Sequence, residues 1–175
     1  NTSGAVTAWY RYELDMNGHI TRHLFENLNT RFYQSSGAHK FMSLIYGEIS
    51  GNARFRFLSA AHPLPLIFSN KHDRFMDVGP ERRLSFPPLG MLPSFDAIDR
   101  NVTEASSLGF KEHYEMNKWQ IMGAGDILLL YTDGLTDHRR GDEDYAPQRL
   151  EAKLREVKRL DARGIHDAII DDVLR

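Results

Sequence analysis

The chain reads as an α+β fold whose sheets are antiparallel and built from hairpins. Three observations point there. Helical spacing gathers near the two ends, with Ile20, Leu24, Leu28 and Phe32 early and Leu150, Leu154 and Val157 late. Between them lie short apolar or alternating runs divided by turn residues, as at Ser50-Gly51-Asn52. Strands and helices do not alternate along the chain as a parallel sheet would require.

Residues 6–16 have no clear amphipathic period but are compatible with the start of a helix, and Asn17-Gly18 interrupts them. Residues 19–34 predict an amphipathic helix, with Phe25 beside the apolar stripe, and Ser35-Ser36-Gly37 end it. Phe41 to Ile49 is β-like. Phe55 and Phe57 alternate with Arg54 and Arg56, so a hairpin turns at Ser50-Gly51-Asn52. Leu64 to Phe68 and Arg74 to Val78 form a second strand pair, joined by Asn70-Lys71-His72-Asp73. Residues 80–96, rich in proline and glycine, read as an extended loop. Tyr114 to Met122 is a strand, Arg149 to Leu160 a helix and Ile165 to Leu174 a final helix. Leu24, Phe25, Leu28, Phe32, Phe55, Phe57, Leu128 and Leu130 are expected to share one core.

A length of 175 residues is that of a single domain with a real core. The formal charge of -2 gives no electrostatic footprint for nucleic acid. The pairs Arg82-Arg83 and Arg139-Arg140 read as solvated loop or face residues. With no cysteine, disulfides and thiolate chemistry are excluded. No apolar run is long enough to span a membrane and no signal peptide is visible, so a cytoplasmic location is expected. The first residue is Asn1, not Met, which suggests a piece of a longer protein.

The most informative stretch runs from Gly125 to Asp137, Gly-Asp-Ile-Leu-Leu-Leu-Tyr-Thr-Asp-Gly-Leu-Thr-Asp. Ile127 to Tyr131 reads as a strand buried on both faces, opened by the Gly125-Asp126 turn and closed by Asp133-Gly134. Asp133 therefore stands at the mouth of a rigid strand, where an oxygen is held in place for a metal or for catalysis. A plain Asp-Gly turn after a strand is the other reading of the same residues.

Three more segments join this one: Phe41 to Gly47, then Ser59-Ala60-Ala61-His62-Pro63-Leu64-Pro65-Leu66, then Pro88-Leu89-Gly90-Met91-Leu92-Pro93. In this order and spacing the four resemble the SpoIIE/RsbU-type protein serine/threonine phosphatases. These are the bacterial branch of the metal-dependent protein phosphatase (type 2C) superfamily. The resemblance spans roughly residues 20–174. It implies two packed antiparallel sheets flanked by helices and a site for two ions, Mn²⁺ or Mg²⁺, built from aspartates at strand ends. Hard dications prefer oxygen ligands and together activate a water for attack on phosphorus, without a cysteine nucleophile. On this resemblance Asp133 is the catalytic and metal-binding aspartate. Gly134 lets the backbone approach the metal, and Asp126 is the structural aspartate of the turn. Also implied are a phosphorylated regulatory substrate of the STAS-type anti-anti-sigma kind, a sensor or response-regulator domain in the same chain, and a homodimer among the allowed assemblies.

The departures are specific. The family's Ala-Gly-His-Pro is Ala60-Ala61-His62-Pro63 here. Its N-terminal Asp-x-Ser-Gly-His-Gly is matched only by Asn1-Thr2-Ser3-Gly4, with a neutral amide in the place of the bridging aspartate. Its closing Asp-Asp-x-Thr strand has no match. Asp171-Asp172 falls in a helical pattern and reads as an exposed helix face. The domain is therefore expected to lack its N-terminal and C-terminal acidic segments. The alternative is a degenerate phosphatase fold that serves in protein binding or dimerisation. Among the remaining residues, His62 reads as a hydrogen-bonded structural histidine. His19 and His23 have zinc spacing on a helix but lack the accompanying glutamate, and His39 joins no constellation. Asp137 either supports Asp133 or is a solvated turn carboxylate. Trp9 and Trp119 read as core or interface residues.

Overall fold

The computed structural model describes residues 2–36, 40–94, 113–120, 123–140 and 143–174. Gly37, His39, Met122 and Asn1, each part of a sequence expectation, lie outside the described residues. The elements run α1 (Thr2–Asn17), α2 (Arg22–Ser36), β1 (Leu44–Ile49), β2 (Arg54–Ala60), β3 (Leu66–Ser69), β4 (Arg74–Phe75), a single 3₁₀ turn at Pro80–Arg82, β5 (Asn117–Gln120), β6 (Ile127–Leu129), α3 (Asp133–Thr136), β7 (Arg139–Arg140), β8 (Glu143–Asp144), α4 (Gln148–Val157) and α5 (Ala162–Val173). The strands form sheets of order β1-β2-β5, β4-β3-β6 and β7-β8. The α+β expectation holds, and the extended loop at 80–96 gains two bridges, Met42 with Leu89 and Ala60 with Phe86.

The chain divides into two compact units, and the expected single core is accordingly two clusters. The first unit comprises Asn1–Gly47, Arg56–His62 and Leu84–Asn117. Its core joins Ile20, Leu24, Phe25, Leu28, Leu58, Ala60, Leu89 and Tyr114. The helical stripe read from the sequence is thus the buried face of α2, although Phe32 is only half-buried. Between the two helices Gly18 adopts φ +67° and its N–H bonds to the Leu14 carbonyl at 2.9 Å, ending α1. Thr21 then caps α2 by accepting from the His23 N–H at 3.3 Å. The Glu13 carboxylate from α1 receives both the Thr21 N–H, at 3.0 Å, and its hydroxyl, at 2.5 Å. The helix is longer than the sequence suggests at α1 because this junction, rather than an amphipathic period, fixes it.

Asn29 is fully buried on α2 and acts as a backbone substitute for the proline-rich segment. Its Nδ2 donates to the Leu92 carbonyl at 3.0 Å and to Ser94 Oγ at 2.6 Å, and its Oδ1 accepts from the Gly90 N–H at 2.8 Å. Gly90 sits at φ +82°, and a Cβ there would lie 2.8 Å from the Phe32 Cβ, so only glycine fits. Phe55 and Phe57 are buried, as their alternation suggests, but belong to neither cluster.

The second unit comprises Glu48–Phe55, Pro63–Arg83 and Lys118–Arg175. Phe68, Tyr145, Leu150, Leu154, Val157, Ile165 and Ile169 form its core. The β3–β4 hairpin is tied to α4, where Glu151 accepts the Phe75 N–H at 2.8 Å and Lys158 pairs with Asp73. Asp161 caps α5 by accepting from the Gly164 N–H at 2.8 Å. Trp119 is core, 4 % exposed, with its ring edge against Phe55 at 6.4 Å.

β6 corrects the sequence expectation most. It covers Ile127–Leu129 rather than Ile127 to Tyr131, and it is half-buried rather than buried on both faces. It pairs antiparallel with β3, Ile127 opposite Phe68 and Leu129 opposite Leu66. The two-residue period sends Ile127 and Leu129 into the second core. Leu128 and Leu130 point the other way, and Leu130 is 59 % exposed. β6 ends the order β4-β3-β6, and along it runs an open groove of about 810 Å³ lined by Ile127 to Tyr131 and by Ile165, Ile169 and Ile170 of α5. β1, β3 and β4 are also shorter than read, whereas β2 runs on to Ala60, because pairing rather than apolar content sets their ends.

Ala61, which stands where the related motif carries glycine, has φ +50°. Its N–H donates to the Phe86 carbonyl at 2.7 Å, which holds it there. A Cβ in the left-handed region costs about 1–2 kcal/mol, and the added entropy of a glycine offsets part of that. Ala61→Gly is therefore expected to stabilise the chain by up to about 1 kcal/mol in urea denaturation. A lowered midpoint would refute the strain. Leu150→Ala is expected to cost about 2–5 kcal/mol, and Leu130→Ala less than about 1 kcal/mol. Equal losses from the two would contradict the half-buried β6.

Candidate functional site

The site is built upward from the turn before β6. Gly125 adopts φ +81°, a backbone conformation that favours glycine, and a Cβ there would lie 2.8 Å from the Asn70 Nδ2. Asp126 follows and uses both carboxylate oxygens. Oδ1 accepts from the Asn70 N–H at 2.7 Å and Oδ2 from the Gly123 N–H at 2.7 Å. A charged acceptor on two backbone donors makes a strong and short pair of bonds. They fix the start of β6 against the end of β3. The sequence reading of Asp126 as a turn residue is thus given a partner, Asn70, that no sequence signal marked out.

β6 then carries the chain to Thr132, Asp133 and Gly134, all exposed. Asp133 opens α3, a helix of four residues, so the expected Asp-Gly turn is replaced by a helical one. The Asp133 carbonyl accepts from the Asp137 N–H at 2.7 Å and from the Thr136 hydroxyl at 3.0 Å. Its carboxylate is left facing solvent. Burial, and after it the Asp133 charge, hold the Tyr131 phenol above its ordinary value. Asp137 ends α3 with its side chain exposed, close in sequence but joined to Asp133 only through the backbone.

Asp133 and Gly134 are therefore brought together at the lip of the β6 groove, where Thr132 and Gly134 contribute to its lining. Among the described residues no group of three histidine, aspartate or glutamate side chains is placed to hold a metal ion. One exposed carboxylate does not supply the charge for two dications, so the described residues by themselves do not fit the centre that the family resemblance implies. Asp172 is not a fully exposed residue as read from the helical pattern. It is half-buried, 3.7 Å from Arg149, and its charge adds to burial in raising the Tyr145 phenol.

The other candidates belong to the first unit. His23 lies 3.0 Å from a Glu26 oxygen and His113 lies 3.2 Å from the other, so His23 is engaged by a carboxylate on its own helix. Burial first, and then the Glu26 charge, push the Tyr114 phenol well up. The His62 carbonyl accepts from the Ser59 hydroxyl at 2.6 Å. Trp9 packs partly buried against the first core, with the Arg31 guanidinium 5.6 Å from its ring.

The site is thus an aspartate presented just beyond an edge strand, with residues of α5 lining the groove beside that strand. The family described as Stage II sporulation protein E (SpoIIE) matches residues 2–175, and the chain belongs to it. That family is generally made of metal-dependent phosphatases acting in sigma-factor regulation. A solved structure of the RsbU and RsbW domains of Rv1364c from Mycobacterium tuberculosis is similar in fold, with a TM-score of 0.55 at 22% identity. The match covers 99% of this chain and 43% of that one, so the chain spans less than half of its solved neighbour. No curated protein matches the chain. No helix among the described residues is long and apolar enough to cross a membrane.

The two aspartates are expected to separate experimentally. Asp126→Ala leaves the Asn70 and Gly123 N–H groups without their acceptor and should cost about 1–3 kcal/mol. Asp133→Ala removes an exposed side chain and should change stability by less than about 0.5 kcal/mol. Thermal denaturation of both variants checks this, and a large loss from Asp133→Ala would make it a structural residue.

Proposed function

We propose that the chain is the phosphatase-fold part of a bacterial, cytoplasmic protein serine/threonine phosphatase. It would hydrolyse phosphoserine or phosphothreonine on a regulatory protein such as a STAS-type anti-anti-sigma factor. The observation that carries this reading is the Asp126–Asp133 arrangement, in which one aspartate locks the strand and the second is presented at its end. Membership of the SpoIIE family over residues 2–175 supports it. Within that reading Asp133 is the catalytic and metal-binding residue and Gly134 its close-packed neighbour. The expected metal is Mn²⁺ or Mg²⁺, two ions in the intact site. Because the described residues present one such carboxylate, we further propose that acidic segments outside residues 1–175 complete the set. A sensor or response-regulator domain in the same protein would fit this role.

A second reading is a phosphatase fold that has lost its chemistry and works by binding a partner. The observation in its favour is Asn1, a neutral amide at the position where the related motif carries its bridging aspartate.

A polypeptide that extends this chain by the Asp-x-Ser-Gly-His-Gly and Asp-Asp-x-Thr segments separates the two. It should release phosphate from a phosphoserine protein only with added Mn²⁺ or Mg²⁺, and EDTA should abolish the release. Asp133→Ala should lower turnover by about 10³-fold or more while the melting temperature holds. Metal-independent turnover, or full activity in that variant, would defeat the assignment. The 175-residue chain should show only weak Mn²⁺ binding by calorimetry, and Asp133→Asn should remove it.

A further inference from the structure

Asn17 and Gly18 form the one Asn-Gly pair of the sequence. Asn17 is the last residue of α1, and both residues are exposed. When the next residue has no Cβ, its backbone nitrogen can approach the asparagine side-chain carbonyl and attack it. Two locks oppose that attack in the folded chain. The helical backbone of Asn17 tilts its side chain back toward the N-terminus of α1, away from the Gly18 nitrogen. The Gly18 N–H is itself held by the Leu14 carbonyl at 2.9 Å. No packing reinforces these locks, since a Cβ on Gly18, at φ +67°, would meet no atom within 4 Å. What keeps the turn closed lies on either side of it. Ile20 is anchored in the first core. The Glu13 carboxylate, 8 % exposed, takes the N–H and the hydroxyl of Thr21 at 3.0 and 2.5 Å and so bridges the chain across residues 14–20.

We propose that Asn17 is a self-modification site, gated by the Glu13–Thr21 bonds, whose conversion uncouples α1 from α2. The Gly18 nitrogen gives its proton to solvent base and attacks Asn17 Cγ. The C–N bond of the side-chain amide then breaks, and its nitrogen takes a proton and leaves as ammonia. Water opens the resulting cyclic imide at either carbonyl, to give aspartate or isoaspartate. The attack requires the last turn of α1 to open, so its rate follows the population of that local opening. Both products act against the junction. Aspartate places a negative charge at the C-terminal end of α1, where the helix dipole is already negative. Isoaspartate carries the main chain through the side chain and lengthens it by a carbon, which takes the Gly18 N–H out of register with the Leu14 carbonyl. Loss of ammonia makes the change irreversible, so it records the time that α1 has spent open. The inference concerns the α1–α2 junction alone and stands whether or not the chain is a phosphatase.

Peptide mapping by mass spectrometry tests it, on the chain held in mildly alkaline buffer with and without denaturing urea. Aspartate and isoaspartate are expected at Asn17 in both. They should form at least about tenfold more slowly in the folded chain, the factor that one charge-assisted hydrogen bond supplies. Thr21→Val removes one of the two donors to Glu13. It should bring the folded rate toward the urea rate and leave the urea rate unchanged. Glu13→Gln should act in the same direction, and circular dichroism establishes that each variant is folded. In the converted chain, amide hydrogen exchange should quicken in α1 and stay as it was in α4 and α5. Equal rates in buffer and urea overturn the proposal, as does a folded rate indifferent to both variants. A converted chain whose α1 exchanges like that of the parent overturns the uncoupling.

Discussion

The carboxylate of Asp126 is the constraint on which the candidate site depends. By receiving the Asn70 and Gly123 N–H groups it fastens the start of β6 to the far end of β3. The antiparallel register follows, with Ile127 opposite Phe68 and Leu129 opposite Leu66. Because side chains alternate along a strand, a slip by one residue would exchange the two faces of β6. Ile127 and Leu129 would leave the core, and the residue presented beyond the strand would no longer be Asp133. Gly125 makes the turn feasible, since its φ of +81° lies in the left-handed region that favours glycine. One glycine and one aspartate therefore set where the second aspartate stands.

The first unit depends on polar side chains that stand in for backbone. Asn29 bonds with three groups of the proline-rich segment. Asn117, 2 % exposed, both donates to the Leu84 carbonyl and accepts the Leu84 N–H at 2.8 Å. Glu13 receives two donors from Thr21. A buried amide is costly without partners and specific with them. A segment with four prolines between residues 80 and 96 has fewer N–H groups of its own to build a sheet, and Asn29 and Asn117 make up part of the difference.

How much of this was legible in the sequence depends on the length scale of each signal. The buried faces of α2 and α4 are written in local periodicity, and the structure buries Leu24, Leu28, Leu150, Leu154 and Val157 as read, with Phe32 buried only in part. Gly125-Asp126 was legible as a turn, and Asp133 as the residue a strand would present. What was not legible is what lies across space. Five apolar residues in a row, Ile127 to Tyr131, say nothing about how many of their faces are covered, and that is decided by the neighbour on the second side. Asn70 carried no signal because its role is a backbone N–H. Asn29 carries no local signal because its partners are about sixty positions away in the chain. Ala61 gave only half of its meaning: the departure from glycine was visible, but its positive φ was not.

The open side of β6 has a consequence for handling the protein. A short apolar strand whose outer hydrogen-bonding groups meet no described strand, beside a groove that includes Leu128, Leu130 and Ile170, is a template for further strand addition. Its flanks carry no proline and little charge between Ile127 and Thr132, so there is no local gatekeeper against stacking. Colloidal behaviour of this chain should therefore be governed by a few residues of the second unit rather than by its near-neutral net charge. Solubility in concentrated samples would respond to a single lysine on that edge more than to many charges placed elsewhere.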